Sequence, residues 1–245
     1  MKLLVDAGNT RIKWAIVDGE EWLHDGALPV EQADRLPQFI SDLQRTDAKK
    51  IRQIWASNVA GEMVAQHVRD VDIGESGQRY FITAREAQCG VRNGYANPGQ
   101  LGSDRWAALI AAWHMMHGKC MVVNCGTAIT IDTLSEHGEF LGGLILPGLE
   151  LMRRSLVGAT GQLRLEQGKY AGFPLNTADA LFSGAIQACC GAIERQYALL
   201  EDGSVPVVLS GGAADTLHKD IGLPLTIVDN LVLQGLLLIS QETGM

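Results

Sequence analysis

The chain has 245 residues, 47% of them apolar and 20% charged, and a net charge of −8. That supports a large single domain or two smaller lobes, and it excludes collagen-like and disordered classes. The densest basic stretches, "DAKKIR" and "LMRR", are short and flanked by acids or apolar residues, so no basic stripe for nucleic acid or an anionic membrane is expected.

At the N-terminus, Lys2 is followed by only three apolar residues before Asp6, which does not read as a signal peptide. Three strands follow at 2–6, 12–17 and 21–28, joined by turns at Gly8-Asn9 and Asp18-Gly19. The spacing predicts a helix over 31–44 despite Pro37, a strand over 51–57, a helix over 61–70 and a strand over 78–83. The Gly/Asn/Pro-rich stretch "GVRNGYANPGQLG" introduces a strong helix over 103–117. Strands at 120–126, 127–134 and 139–146 form a second series. Helices over 148–156 and 177–200 come next, then a strand at 206–212 and a helix at 213–219. A strand at 225–229 and a helix from Leu231 close the chain. No apolar stretch approaches bilayer length. Five cysteines without a CxxC pair, and His114 and His117 without a second ligand cluster, argue against a disulfide framework or a structural zinc site. A cytoplasmic protein with reduced thiols is the expectation.

The two strand series match in order. "DAGNTRIKWAIV" and "EEWLHDGALP" correspond to "NCGTAITIDTL" and "GEFLGGLILP", which sets Asp6 against Asn124, Gly8 against Gly126, Asn9 against Thr127 and Pro29 against Pro147. A duplicated meander, each copy followed by strand–helix alternation, implies two related α/β lobes with a cleft between them. The boundary is expected at 116/117, giving lobes 1–116 and 117–245.

Turns such as "DAGNT" and "NCGTA" let the backbone approach an anion and add a hydroxyl or amide donor. A hairpin needs the same residues, so one such turn is ambiguous; two related turns make a pair of phosphate clamps the sharper reading. Asp6 beside the first turn either caps it or serves Mg²⁺, which takes one or two protein carboxylates. "SGG" at 210–212 is compatible with a flat group against the backbone or with an ordinary loop, and no GxxxxGK[ST] is present. In "GSDR", Ser103 or Asp104 suits a helix cap, whereas a cation at Arg105 in a first helical turn does not. An Asp-Arg pair there suits a substrate with a hydroxyl to deprotonate and a carboxylate to clamp. Trp106, Trp113, Met115 and Met116 at helical spacing read as core or subunit interface, and Cys189-Cys190 as buried packing.

With "DAGNT", "GSDR", "CGTAITID", "GGLILPGLELM", "NTADAL" and "LSGG" in order, the chain resembles the type III pantothenate kinases, also described as Bvg accessory factor homologues, over essentially its whole length. They belong to the acetate and sugar kinase/Hsc70/actin superfamily. The resemblance implies an α/β fold of two duplicated actin-like, ribonuclease H-like lobes, each a mixed sheet with flanking helices, around a central cleft. It implies ATP-dependent phosphorylation of pantothenate, the opening step of coenzyme A synthesis. Asp6, Ala7, Gly8, Asn9, Thr10, Arg11, Ile12 and Lys13 look like the first phosphate motif, with Asp6 near Mg²⁺, and Thr127 like the second contact. Asp104 resembles the general base, Gly102, Ser103, Asp104 and Arg105 the substrate loop, and Tyr95 the aromatic wall of the pantothenate pocket. Thr177 resembles a threonine that reaches the substrate from the neighbouring subunit, which implies a homodimer with shared sites.

One position departs from the pattern. The family's second motif commonly opens with an aspartate that helps to hold potassium or ammonium, and here it is Asn124. An amide oxygen lacks the charge, so its hold on a monovalent cation is expected to be weaker. Asp132 is retained, with either a structural or an outer-sphere metal role. The competing readings are a kinase of the same superfamily for another small hydroxy acid, and a non-catalytic regulatory protein that keeps the fold. An inactive relative is expected to have lost Asp6 or Asp104, and both are present.

Overall fold

A computed structural model describes residues 1–46, 49–160 and 163–242; Asp47 and Ala48 of "DAKKIR" lie outside the described residues. The chain forms two compact units, residues 1–115 with the chain end from 230, and residues 116–229.

The first unit opens with β1 (Lys2–Ala7), β2 (Arg11–Asp18) and β3 (Glu21–Pro29), paired antiparallel. Parallel additions follow on the other side of β1, and they require crossovers. Helix α1 (Leu36–Thr46) leads to β4 (Gln53–Asn58), and α2 (Glu62–Arg69) leads to β5 (Gln78–Phe81). The sheet order is β3-β2-β1-β4-β5. Strand alternation gives this sheet two faces. Leu3, Val5 and Ala7 of β1, with Ile12, Trp14 and Ile16 of β2, enter a core closed by α1 and α2. Leu4, Asp6, Lys13 and Ser57 therefore point to the opposite face.

The helix expected over 31–44 is two elements, a 3-10 segment Val30–Arg35 and then α1. Pro37 is the second residue of α1, where its missing N–H costs no helical bond. A small hairpin, β6 (Ala87–Gln88) and β7 (Val91–Arg92), lies outside the sequence expectations, since two-residue strands have no periodicity to read. It turns through Cys89 and Gly90, both at positive φ. Helix α3 (Ser103–Met116) follows the Gly/Asn/Pro-rich stretch, with Trp106 fully buried.

The second unit repeats the plan. Strands β8 (Cys120–Cys125), β9 (Ala128–Leu134) and β10 (Phe140–Pro147) are antiparallel. After α4 (Leu149–Ala159) and α5 (Thr177–Ala198), β11 (Val207–Ser210) adds in parallel. The short α6 (Ala214–Leu217) precedes β12 (Leu225–Ile227). The order is β10-β9-β8-β11-β12, the same permutation as in the first sheet. Met121, Val123 and Cys125 pack against Ile186, Cys189 and Ile193 of α5. The fold is thus a duplicated α/β architecture of two actin-like lobes, each a mixed sheet with flanking helices.

The last helix, α7 (Leu231–Glu242), packs on β1 and β4 of the first unit. Lys2 Nζ donates to the Ser240 carbonyl at 3.0 Å, and Gly235 presses so closely on the Ala107 carbonyl of α3 that no side chain fits. A division into 1–116 and 117–245 differs from this arrangement in one element, because 231–242 completes the first unit.

Candidate active site

Strand β1 delivers Asp6 one residue before its end. The register partners of Asp6 are Lys13 on β2 and Ser57 on β4, so the three side chains form one row across adjacent strands on the face opposite the α1/α2 core. Lys13 is the cross-strand countercharge. Burial pushes the Asp6 carboxyl up to about 7, the Asp104 charge adds to the rise, and Lys13 opposes it.

The tip beyond Asp6 is held from three sides. Gly8 N donates to Arg11 O at 3.1 Å, Val30 N to Thr10 O at 3.0 Å, and Val59 N to Ala7 O at 3.0 Å. Asn9, Thr10 and Arg11 are exposed there, whereas Ala7 and Ile12 point into the core and offer only backbone to a ligand.

The second unit builds its turn with the same ties. Gly126 N donates to Ala128 O at 3.0 Å, Gly148 N to Thr127 O at 2.8 Å, and Ala213 N to Cys125 O at 3.0 Å. By these bonds Thr127 corresponds to Thr10, because the first turn is one residue longer. A Cβ at Gly211 would stand 2.5 Å from the Cys125 carbonyl oxygen, and Gly148 abuts Gly126 and Thr127, so two glycines seat the turn. Asn124 occupies the place of Asp6, in register with Thr130 and Ser210. Asp132, 2% exposed, pairs with Val122 and Gly143. Thr177 is the exposed first residue of α5, directly after the capping Asn176.

The remaining residues converge at the start of α3, in the first unit. Asn93 organises the approach: its Oδ1 accepts from Tyr95 N at 3.0 Å and its Nδ2 donates to Pro98 O at 3.2 Å. Arg105, 4% exposed, donates from Nη1 to the Tyr95 hydroxyl at 3.2 Å, with its guanidinium 5.9 Å from that ring centre. The buried Ser103 and Ser57 hydroxyls share a hydrogen bond of 2.8 Å. Asp104 Oδ1 accepts from Arg105 N at 2.8 Å, and no described residue donates to its Oδ2. The carboxylate folds back over Gly102, where a Cβ would stand 2.6 Å from Oδ1. Asp104 therefore meets a helix N–H, as a cap does, and keeps one oxygen for other work.

Both carboxylates bear on the fit to Mg²⁺. Among the described residues no group of three or more His, Cys, Asp or Glu side chains could enclose a metal ion. A site with one or two carboxylates is what Mg²⁺ uses when phosphate oxygens and water complete its shell.

A family model described as type III pantothenate kinase matches residues 2–199. The chain belongs to the type III pantothenate kinase family. It is 48% identical to the type III pantothenate kinase of Nitrosospira multiformis, over 99% of this chain and 92% of that one. It is 44% identical to that of Aromatoleum aromaticum, over 99% and 98%. Among solved structures, the ethanolamine utilization protein EutJ from Carboxydothermus hydrogenoformans matches with a TM-score of 0.56 at 15% identity, over 98% of this chain and 89% of that one. Component A of the (R)-2-hydroxyglutaryl-CoA dehydratase of Acidaminococcus fermentans gives 0.55 at 14%, over 97% and 95%. At such identities these structures speak to the fold alone.

Within this pantothenate kinase, the first unit gathers Asp6, Lys13, Tyr95 and Gly102 to Arg105, while Asn124, Thr127 and Thr177 belong to the second. Sequence reasoning missed Ser57 and Asn93. Asn93 had a signal in "RNGYANPG", where asparagines close turns through their own side chains. Ser57 had none, because its partner is 46 residues away.

Proposed function

We propose that this enzyme transfers the γ-phosphoryl group of ATP to the primary hydroxyl of pantothenate, giving 4'-phosphopantothenate, with Asp104 as the general base. The observation that carries this is the open Oδ2 of Asp104 at the head of α3, beside a buried Arg105 bonded to Tyr95. Arg105 clamps the substrate carboxylate, Tyr95 walls the pocket, and Asp104 accepts the hydroxyl proton as the new P–O bond forms. Phosphoryl transfer asks a protein mainly for positioning and charge neutralisation. The residues 6–13 and Thr127 contact the nucleotide phosphates, with seated turns that lose little freedom on binding. Asp6 would hold Mg²⁺, which when bound neutralises phosphate charge. Asn124 offers an amide where a carboxylate would grip a monovalent cation, so potassium acts weakly.

The enzyme works as a homodimer in which Thr177 reaches the partner's substrate. Supporting this, Phe173 and Leu175 just before it are 94% and 97% exposed, and Leu144 and Ile145 of β10 with Leu151 and Leu156 of α4 add exposed apolar surface. Apolar patches of this kind mark association sites. Phe173→Glu with Leu175→Glu gives a monomer in sedimentation if the reading holds, and an unchanged dimer refutes it. The five free cysteines support a cytoplasmic location, and among the described residues no helix is long and apolar enough to cross a membrane.

A coupled ADP-release assay with ATP and Mg²⁺, in sodium and in potassium buffer, tests the activity. Pantothenate-dependent release in both buffers is expected. Release that ignores pantothenate overturns the substrate.

A further inference from the structure

We propose that Ser57 is a positioning residue for this phosphoryl transfer: its hydroxyl, bonded to that of Ser103, seats the first turn of α3 over Asp6 and so fixes where Asp104 holds its carboxylate. The inference rests on the assignment of Asp104 as base.

Three observations converge on Ser57. It is the parallel register partner of Asp6, so its side chain stands beside the Asp6 carboxylate on the same face. It is fully buried, and the hydroxyl it meets at 2.8 Å belongs to the first residue of α3, itself only 9% exposed. The next residue along that helix is Asp104, whose charge acts on Asp6. One bond thus ties the strand bearing the Asp6 row to the turn bearing the base.

A tie made of two hydroxyls is an unusual way merely to pack a helix. Two alanines would fill a similar space without desolvating polar groups, and a buried hydroxyl is costly unless paired. What the pair adds is direction. A hydrogen bond holds donor and acceptor within a few tenths of an ångström, whereas apolar contact lets a helix end slide. A displacement of about 1 Å at reacting groups can cost on the order of 100-fold in rate. Gly102 agrees with this, since the Asp104 carboxylate lies in space that a side chain at 102 would crowd.

The test compares Ser57→Ala, Ser103→Ala, the double variant Ser57→Ala/Ser103→Ala, Ser57→Thr and Asp104→Asn by steady-state kinetics, ATP binding and thermal melting. Each single alanine variant is expected to lower kcat by about 10- to 100-fold, with ATP affinity kept within about twofold. The double variant is expected to be no slower than the slower single, because both remove one shared tie. Its melting temperature recovers, since no orphaned hydroxyl remains, but its kcat does not. Ser57→Thr keeps the hydroxyl and most of the turnover. A double variant that regains both stability and kcat overturns the proposal, as the serines would then only pack. Full kcat in the single variants, with Asp104→Asn inactive, overturns it while leaving Asp104 as base. An active Asp104→Asn overturns the base and this inference together.

Discussion

Arg105 reaches back ten residues to place its Nη1 3.2 Å from the hydroxyl of Tyr95, and it is almost wholly buried as it does so. That contact sets the guanidinium beside Tyr95 at the head of α3, and on the proposed reading it grips the substrate carboxylate by a charge-assisted hydrogen bond. Arg105→Ala should therefore raise the pantothenate KM roughly 10- to 100-fold, the range of a lost charge-assisted hydrogen bond of about 1.5–3 kcal/mol. The ATP KM should change far less. Equal rises in both would count against a carboxylate clamp.

The close approach of the Asp104 carboxylate to Gly102 gives a second expectation. Gly102→Ala puts a methyl 2.6 Å from Asp104 Oδ1, so the carboxylate must rotate or the loop must shift. Turnover should fall at least about tenfold with ATP binding intact. Asp104→Asn should fall further, by about 100- to 10,000-fold, as expected on losing a general base. If Gly102→Ala is fully active, the observed carboxylate position is not the working one.

Asp6 gives a pH dependence whose sign is fixed. Its carboxyl is raised to about 7 in the fold, against about 4 in an unfolded chain. The folded state thus binds the proton more tightly, and between about pH 4 and 7 this group contributes stability that is lost as pH rises. The ligand-free protein should show this component in its melting temperature, and Asp6→Asn should lack it. Below pH 7 the protonated carboxyl competes with Mg²⁺, so the Mg²⁺ requirement of wild type should steepen there. Identical melting profiles for wild type and Asp6→Asn would refute the raised value.

Asn124 stands where its duplicate in the first unit carries a carboxylate, with Thr130 and Ser210 as neighbours in register. Asn124→Asp adds a negative charge to a row of neutral oxygens. Potassium should then stimulate turnover severalfold more than in wild type, by the ordinary preference of cations for carboxylate. A flat potassium response in both proteins would sink the cation argument.

Much of this was legible in the residues. The two meanders announce themselves because tight turns and strand alternation are local, and "DAGNT" and "NCGTA" fall in the structural places their alignment assigns. The alignment slips by one residue at Asn9 and Thr127, since turn length depends on register across strands and not on composition. Pro37 hid a break that became visible only as a 3-10 segment before α1. Leu231–Glu242 reads as a helix from its apolar content, yet no local property says which sheet it covers; Lys2 and Ala107 decide that. Ser57 is the extreme case, a serine whose meaning lies entirely in a residue far along the chain.

The membership of α7 in the first unit also bears on how the protein is made. Residues 116–229 are contiguous, so that unit has all its parts as soon as its last strand leaves the ribosome. The first unit begins earlier but ends later. Its sheet must wait, with the face of β1 and β4 that α7 packs on not yet covered, until that helix is synthesised. The part of the chain translated first is thus completed only after all of residues 116–229 has been made, and the sheet that carries Asp6 is covered by a helix from far along the chain.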